Sequence, residues 1–179
     1  SVEGDSLPFT VRSNGTPEGG VVEIDASGSS QFVSGLLLAG PRFTKGITVR
    51  HVGGRLPSLP HIEMTVDMLR KAGVKVDVTE NSWKVHPGPI QGRTWHVEPD
   101  LSNATPFLAA AAVTGGTVRV RHWPLSTTQP GDAIRLILET MGCRVDLLTA
   151  ESGPGQDLQI TGPESGVLKG ISLDMSDIG

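Results

Sequence analysis

Two serines and a glutamine stand where a predicted strand gives way to a predicted helix. Residues 22–32 read VEIDASGSSQF, with Ser29, Ser30 and Gln31 just before an apolar run. A serine in this place can cap the helix, because its side-chain oxygen accepts a hydrogen bond from a backbone N–H of the first turn. The same N–H groups, with the positive end of the helix dipole behind them, also attract anions. The residue types therefore predict either a cap or a binding site for an anionic ligand.

Other residues that are able to do chemistry show no arrangement typical of a site. The histidines form no close pair and have no cysteine cluster beside them, which argues against a zinc site; they are His51, His61, His86, His96 and His122. The glycine pairs at 53–54 and 115–116 lack the lysine and spacing of a P-loop and are interpreted as turns. Cys143 is expected to pack in the core, since no histidine is near it in sequence. Asp177 is expected to cap a following helix rather than act as an acid or base.

The composition predicts a compact globular protein of the cytoplasm. The 179 residues are 37% hydrophobic, enough for one sizeable core or two small ones. One cysteine permits no internal disulfide, no apolar run approaches the roughly 18 residues of a membrane span, and the first residues are not typical of a secretory signal. A formal net charge of −4 argues against nucleic acid as the main partner. The basic residues scattered between Arg42 and Arg55 are interpreted as a solvated face.

The chain repeats itself. The segment VEIDAS at residues 22–27 returns as VEPDLS at residues 97–102, and a third echo, ISLDMS, occupies residues 171–176. Each of the first two copies continues with an apolar helix, a β-branched strand, an amphipathic helix and two short strands, so the repeated unit is β-α-β-α-β-β. Two ordinary α+β domains that happen to share a topology are the alternative interpretation.

The elements of these units are predicted from periodicity and from turn residues. Helices are predicted over residues 32–39, 61–72, 107–113 and 132–141. Strands are predicted from residue 22 and over residues 46–52, 74–77, 83–85, 95–97, 116–121, 143–146, 158–160 and 171–173. Gly73 and Gly142 end the two amphipathic helices, where a left-handed residue is expected.

Several stretches carry a likeness to a known family. They are DASGSSQF at residues 25–32, LPSLPHIEMT at 56–65, VEPDLSNATPFLAAAA at 97–112, GGTV at 115–118 and QPGD at 129–132. With them the sequence resembles the 5-enolpyruvylshikimate-3-phosphate synthases, the enolpyruvyl transferases of aromatic amino-acid biosynthesis, and looks most like their actinobacterial members. The resemblance implies an α/β (α+β) fold, an inside-out barrel of repeated β-α-β-α-β-β units in two domains with the ligands between them. This chain is expected to be a middle section with about two units, residues 1–97 belonging to the N-terminal domain and 98–179 to the C-terminal domain.

The resemblance also implies the substrates and their contacts. The substrates would be shikimate 3-phosphate and phosphoenolpyruvate, with no cofactor and no metal. Ser29, Ser30 and Gln31 would contact shikimate 3-phosphate, and Gln31 would also approach phosphoenolpyruvate. Ser58 would be a further phosphate contact. His61 stands where many relatives have tyrosine, so it is expected either to contact the ligand or merely to pack beside the preceding proline.

Groups that the reaction of this family requires are not matched in this sequence. Carboxyvinyl transfer adds the shikimate hydroxyl to protonated phosphoenolpyruvate and then expels phosphate, which needs acid and base groups and cations. The lysine-, arginine- and acid-bearing segments that the family uses are absent, so no catalytic residue is assigned and the chain alone is expected to be inactive. The complete enzyme is expected to be a monomer with neither a nucleic-acid nor a membrane partner.

Two other functions compete with this hypothesis. An enolpyruvyl transferase acting on UDP-N-acetylglucosamine is the same-fold alternative, but it lacks the SSQF segment and its loop cysteine is not matched by Cys143. A non-catalytic repeat module that binds a phosphorylated ligand is the alternative of another class.

Overall fold

The computed structural model describes residues 2–153 and 155–175. The chain forms two compact units, Ser1–Arg93 and Thr94–Gly179. The assignment of residues 1–97 and 98–179 to the two domains of a larger enzyme stays a prediction. Asp177, expected to cap a helix, lies outside the described residues.

The first unit contains the full β-α-β-α-β-β order that the sequence repeat predicts. A four-stranded sheet has the strand order β3-β4-β6-β5, in which β3 is parallel to β4 and the other neighbours are antiparallel. Its elements follow the chain as β3 (Gly20–Ile24), α1 (Gln31–Ala39), β4 (Ile47–His51), α2 (Leu59–Lys71), β5 (Val76–Thr79) and β6 (Ser82–Val85). A hairpin of two short strands, β1 (Val2–Glu3) and β2 (Thr10–Val11), precedes them and was not predicted.

Two helices cover one face of this sheet and pack against each other. In α2 the residues Ile62, Val66 and Leu69 are buried, as their helical spacing predicts. The apolar helix α1 buries Val33 and Leu37 instead, and other apolar side chains of it stay exposed. Gly73 follows α2 with a φ of +82°, so the predicted left-handed helix end is confirmed.

The second unit has the same order without the first strand. Its antiparallel sheet has the strand order β7-β9-β8. The elements are α3 (Leu101–Thr114), β7 (Thr117–Trp123), a 3₁₀ turn (Pro130–Ala133), α4 (Ile134–Thr140), β8 (Arg144–Thr149) and β9 (Gln156–Thr161). Gly142 has a φ of +100°, again as predicted. Cys143 is buried, and burial raises the pKa of its thiol, which fits the core role expected for it.

The strand predicted over residues 95–97 is wrong. No described strand pairs with this segment, and Val97 is 92% exposed. A strand needs partners for its backbone groups, and Pro99, two residues on, has no N–H to donate. The strand predicted over residues 171–173 is wrong too, because this segment lines a small apolar cavity with side chains of α4 instead of joining a sheet.

The second helix begins two residues before its predicted start, and the third and fourth helices differ further from their predictions. The third begins at Leu101, six residues before the apolar run, because the carboxylate of Asp100 caps it. The fourth is divided into the 3₁₀ turn and α4. Among the described helices, none is long and apolar enough to cross a membrane.

Candidate functional site

The topology of the first unit brings two helix starts to one edge of the sheet. Because β3 and β4 are parallel, their carboxyl ends lie at the same edge, and α1 and α2 each begin after one of them. We call residues 25–30 the first loop and residues 52–58 the second loop. The predicted site residues on either side of the two helix starts therefore lie at this edge, which is where ligands usually bind in sheets with parallel strands.

Ser29 and Ser30 of the first loop and Gln31 at the start of α1 lie in three different environments. The hydroxyl of Ser29 accepts a hydrogen bond from the backbone N–H of Gln31 at 3.2 Å, so Ser29 does cap the helix start. Ser30 is the last residue before α1; it is buried, and its side chain makes no capping bond. The Gln31 side chain is exposed. A hydroxyl has one donor and two acceptor positions, so the capping bond leaves Ser29 able to donate to an anion. A helix cap and an anion-binding site at Ser29 are therefore compatible.

The second loop ends at Ser58, which has an unusual backbone. Its φ of 49° and ψ of 50° lie in the left-handed region, which is costly for a residue with a Cβ. Ser58 immediately precedes α2, yet its side chain makes no capping bond. Its carbonyl oxygen accepts a hydrogen bond from the N–H of His61, whose imidazole is exposed.

A buried histidine joins the two loops. The Nδ1 atom of His51 accepts a hydrogen bond from the backbone N–H of Ala26 at 3.2 Å. Its Nε2 atom lies 2.6 Å from the carbonyl oxygen of Gly54. Since Nδ1 is the acceptor, Nε2 carries the proton and donates it to Gly54. The sequence analysis assigned no role to His51. A histidine at the third inward-facing position of β4, after two apolar residues, could have indicated one.

The loops also approach each other closely beside this histidine. The carboxylate of Asp25 accepts the N–H of Ser27 at 2.9 Å, which closes a turn in the first loop. Ser27, whose backbone N–H donates to this carboxylate, lowers the pKa of Asp25. A Cβ placed on Gly53 would lie 2.0 Å from Oδ1 of Asp25, so only glycine permits this approach.

The equivalent helix start in the second unit is already capped by a carboxylate of the chain. The repeat places Asp100, Ala104 and Pro106 where the first unit has Asp25, Ser29 and Gln31. The carboxylate of Asp100 accepts the N–H of Asn103 at 2.9 Å and its side-chain amide at 2.8 Å. With a carboxylate already at its N-terminus, α3 has little attraction for a second anion. The arrangement suited to an anion therefore belongs to the first unit.

The comparison with known families covers the whole chain. The family described as EPSP synthase (3-phosphoshikimate 1-carboxyvinyltransferase) matches residues 1–179. The chain belongs to the EPSP synthase family. A solved structure of EPSP synthase from Acinetobacter baumannii aligns with 99% of this chain at a TM-score of 0.68 and 24% identity. This chain spans 40% of the length of that EPSP synthase.

These matches confirm the resemblance that the motifs carried and the EPSP synthase fold that it implied. The individual roles of Ser29, Ser30, Gln31, Ser58 and His61 stay predictions, as does the likeness to the actinobacterial EPSP synthases. Among the described residues, no group of three or more potential ligands that could hold a metal ion occurs.

Proposed function

We propose that this chain carries the shikimate 3-phosphate half-site of an enzyme that transfers the carboxyvinyl group of phosphoenolpyruvate to that substrate. The observation that carries the proposal is the convergence of two hydroxyl-bearing helix starts, at Ser29 and at Ser58, on one edge of the sheet. Each helix start presents the positive end of the helix dipole to an oxyanion at this edge. Short hydroxyls add donors with little steric bulk, so the phosphate of the substrate is the group that this edge fits.

The exposed amide of Gln31 completes the half-site. An amide has both donor and acceptor atoms, so it suits the sugar-like hydroxyls of shikimate as well as a phosphate oxygen. His61 is exposed on the first turn of α2, one turn from Ser58, where its ring is able to contact the same ligand.

The chemical step needs groups beyond this half-site. Addition of a hydroxyl to phosphoenolpyruvate requires a proton donor, and loss of phosphate from the tetrahedral intermediate requires removal of a proton. Cations must also stabilise the charge of two polyanionic substrates, whereas this chain has a formal net charge of −4. We therefore propose that the chain binds shikimate 3-phosphate weakly and releases no phosphate from the two substrates on its own.

Calorimetric titration of shikimate 3-phosphate into the chain tests the half-site. The double variant Ser29→Ala plus Gln31→Ala is expected to bind at least tenfold more weakly than the original chain. Ser13→Ala plus Gln91→Ala is the matched control, since it removes the same two kinds of polar group from exposed positions of the same unit. Equal affinity of the two double variants, or no binding by the original chain, would contradict the proposal.

The alternatives are separated by two further measurements. Tighter binding of UDP-N-acetylglucosamine than of shikimate 3-phosphate would favour the cell-wall enolpyruvyl transferase. Binding of inorganic phosphate with the same affinity as shikimate 3-phosphate would favour a general phosphate-binding module. We further propose a monomeric complete enzyme in the cytoplasm, where the buried lone thiol of Cys143 needs no oxidised partner.

A further inference from the structure

We infer that His51 is a positioning residue that sets the distance between the first and second loops, and with it the spacing of the two phosphate-binding helix starts. This inference rests on the proposed function, since the two loops are the ones that carry Ser29 and Ser58. The bridge runs from the N–H of Ala26 through the imidazole to the carbonyl of Gly54.

The side chain of His51 occupies a place where an apolar residue would be expected. Along β4 the residues Ile47, Val49 and His51 alternate onto the buried face, and His51 is 9% exposed. Burial of a polar ring is unfavourable unless its nitrogens are hydrogen-bonded. Both nitrogens of this ring bind backbone atoms, one in each loop. The polar side chain therefore stabilises the two loops rather than the hydrophobic core.

Only one form of the ring makes both bonds. The Nδ1 atom must be unprotonated to accept from Ala26, and Nε2 must be protonated to donate to Gly54. The bridge therefore holds a neutral imidazole in a single tautomer and orientation. Such a rigid link pre-organises the two helix starts for one phosphate. Less conformational entropy of the loops is then lost when the ligand binds.

A second contact between the loops makes their spacing tight. Gly53 lies so close to Asp25 that an added Cβ would collide with the carboxylate that closes the turn of the first loop. Gly53→Ala is therefore expected to displace the Asp25 carboxylate and the Ser27 hydroxyl from the second loop, while the imidazole of His51 is kept. This substitution provides a route to the same question that is independent of His51.

Four variants of the chain test the inference by calorimetric titration with shikimate 3-phosphate. His51→Phe keeps a buried ring and removes both hydrogen bonds, so the affinity is expected to fall at least tenfold. His51→Gln retains one donor and one acceptor and is expected to restore affinity to within about threefold of the original chain. Gly53→Ala is expected to weaken binding as His51→Phe does. His86→Phe is the matched control, because His86 follows β6 at the opposite edge of the same sheet and, among the described residues, bonds to Asp77 and Lys75.

Two spectroscopic readouts separate positioning from a general loss of stability. Nitrogen-15 spectra of the imidazole are expected to show the Nε2-protonated tautomer for His51 in the absence of ligand. Exchange of the Ala26 amide proton is expected to accelerate in His51→Phe and to be slow again in His51→Gln. Global loss of stability would accelerate exchange throughout the unit and would not be repaired selectively at Ala26.

The outcomes distinguish this inference from the proposed function. If the original chain binds shikimate 3-phosphate and both His51→Phe and Gly53→Ala bind it equally well while folded, the positioning role is overturned and the proposed function stands. If the original chain binds no shikimate 3-phosphate, the proposed function is overturned and the positioning role with it. If His51→Phe does not fold, the affinities of Gly53→Ala and His51→Gln decide: binding by Gly53→Ala as tight as that of the original chain overturns the role.

Discussion

The indole Nε1 of Trp123 donates a 2.7 Å hydrogen bond to Oδ1 of Asp132, so the end of β7 is tied to the 3₁₀ turn that leads into α4. Trp123 is completely buried, and Arg135 binds the same carboxylate from the first turn of α4. The first unit uses the same device at the end of β4, where a ring nitrogen of His51 holds a loop. In both units a buried aromatic nitrogen at a strand end bonds a segment that follows it; the acceptor is a carboxylate for Trp123 and a backbone carbonyl for His51.

Removing the indole N–H is expected to destabilise the second unit. Trp123→Phe keeps an aromatic ring in the core and breaks the bond to a charged acceptor, for which about 1.5–3 kcal/mol of unfolding free energy is typical. Urea denaturation of the variant and the original chain measures the difference. Asp146→Asn is the control, because it breaks the exposed pair with Arg144 and is expected to change the free energy by less than about 1 kcal/mol. Equal effects of the two substitutions would refute the importance of the Trp123 bond.

The second unit is expected to lose stability in acid. Partial burial raises the pKa of Asp132, but hydrogen bonds from Arg135 and Trp123 outweigh it and hold the pKa below the ordinary value. The backbone N–H of His122 and then Arg119 likewise lower the pKa of Asp157, which is buried.

A carboxyl whose pKa is lower in the folded state stabilises the fold at pH values above its unfolded pKa of about 3.9. That contribution disappears as the pH falls through the folded pKa. Thermal unfolding followed by circular dichroism is therefore expected to show a melting temperature that is flat near neutrality and falls below about pH 4. Asp132→Asn should have a lower melting temperature at pH 7 and a shallower fall in acid. An identical slope in the variant would show that Asp132 is not responsible.

The left-handed backbone of Ser58 predicts that two substitutions there differ in stability but not in affinity. Ser58→Ala removes the hydroxyl and keeps a Cβ at a φ of 49°, whereas Ser58→Gly removes both the hydroxyl and the strain. Left-handed conformation costs a residue with a Cβ about 1–2 kcal/mol, so the glycine variant should unfold at higher urea concentration than the alanine variant. Both variants should bind shikimate 3-phosphate with the same reduced affinity, because both lack the hydroxyl. Full affinity in either variant would exclude Ser58 from the half-site.

The cap of α3 is expected to contribute to the free energy of unfolding and not to the affinity for shikimate 3-phosphate. Asp100→Ala leaves the N–H of Asn103 without its acceptor and should lower the unfolding free energy by about 1 kcal/mol. Asp100→Ser restores an acceptor and should recover most of that loss. Calorimetric titration with shikimate 3-phosphate should give the same affinity for all three chains. A change in affinity would place α3 within the binding site, against our assignment of the half-site to the first unit.

The helices and most strands were predictable because their signals are local. Spacing of apolar residues identified α2, and the glycines at 73 and 142 marked helix ends whose φ values are indeed positive. The strand predicted over residues 95–97 failed because a strand exists only with a partner beside it, which the local pattern does not report. The start of α3 was missed although its signal is local: Asp100 caps the helix through Asn103, but the segment was interpreted as the beginning of a repeated unit.

The sequence by itself determined the family and most of the order of elements, and it predicted the residues of the proposed anion-binding helix start, since motif, period and turn residues are local in the sequence. Only the tertiary structure decided that Ser29 and Ser58 share one edge, because this depends on β3 and β4 being parallel. It alone revealed the bridge made by His51, whose partners Ala26 and Gly54 belong to different loops. Hydrogen bonds between loops depend on how strands pair across the sheet, and no local pattern of residues specifies that pairing.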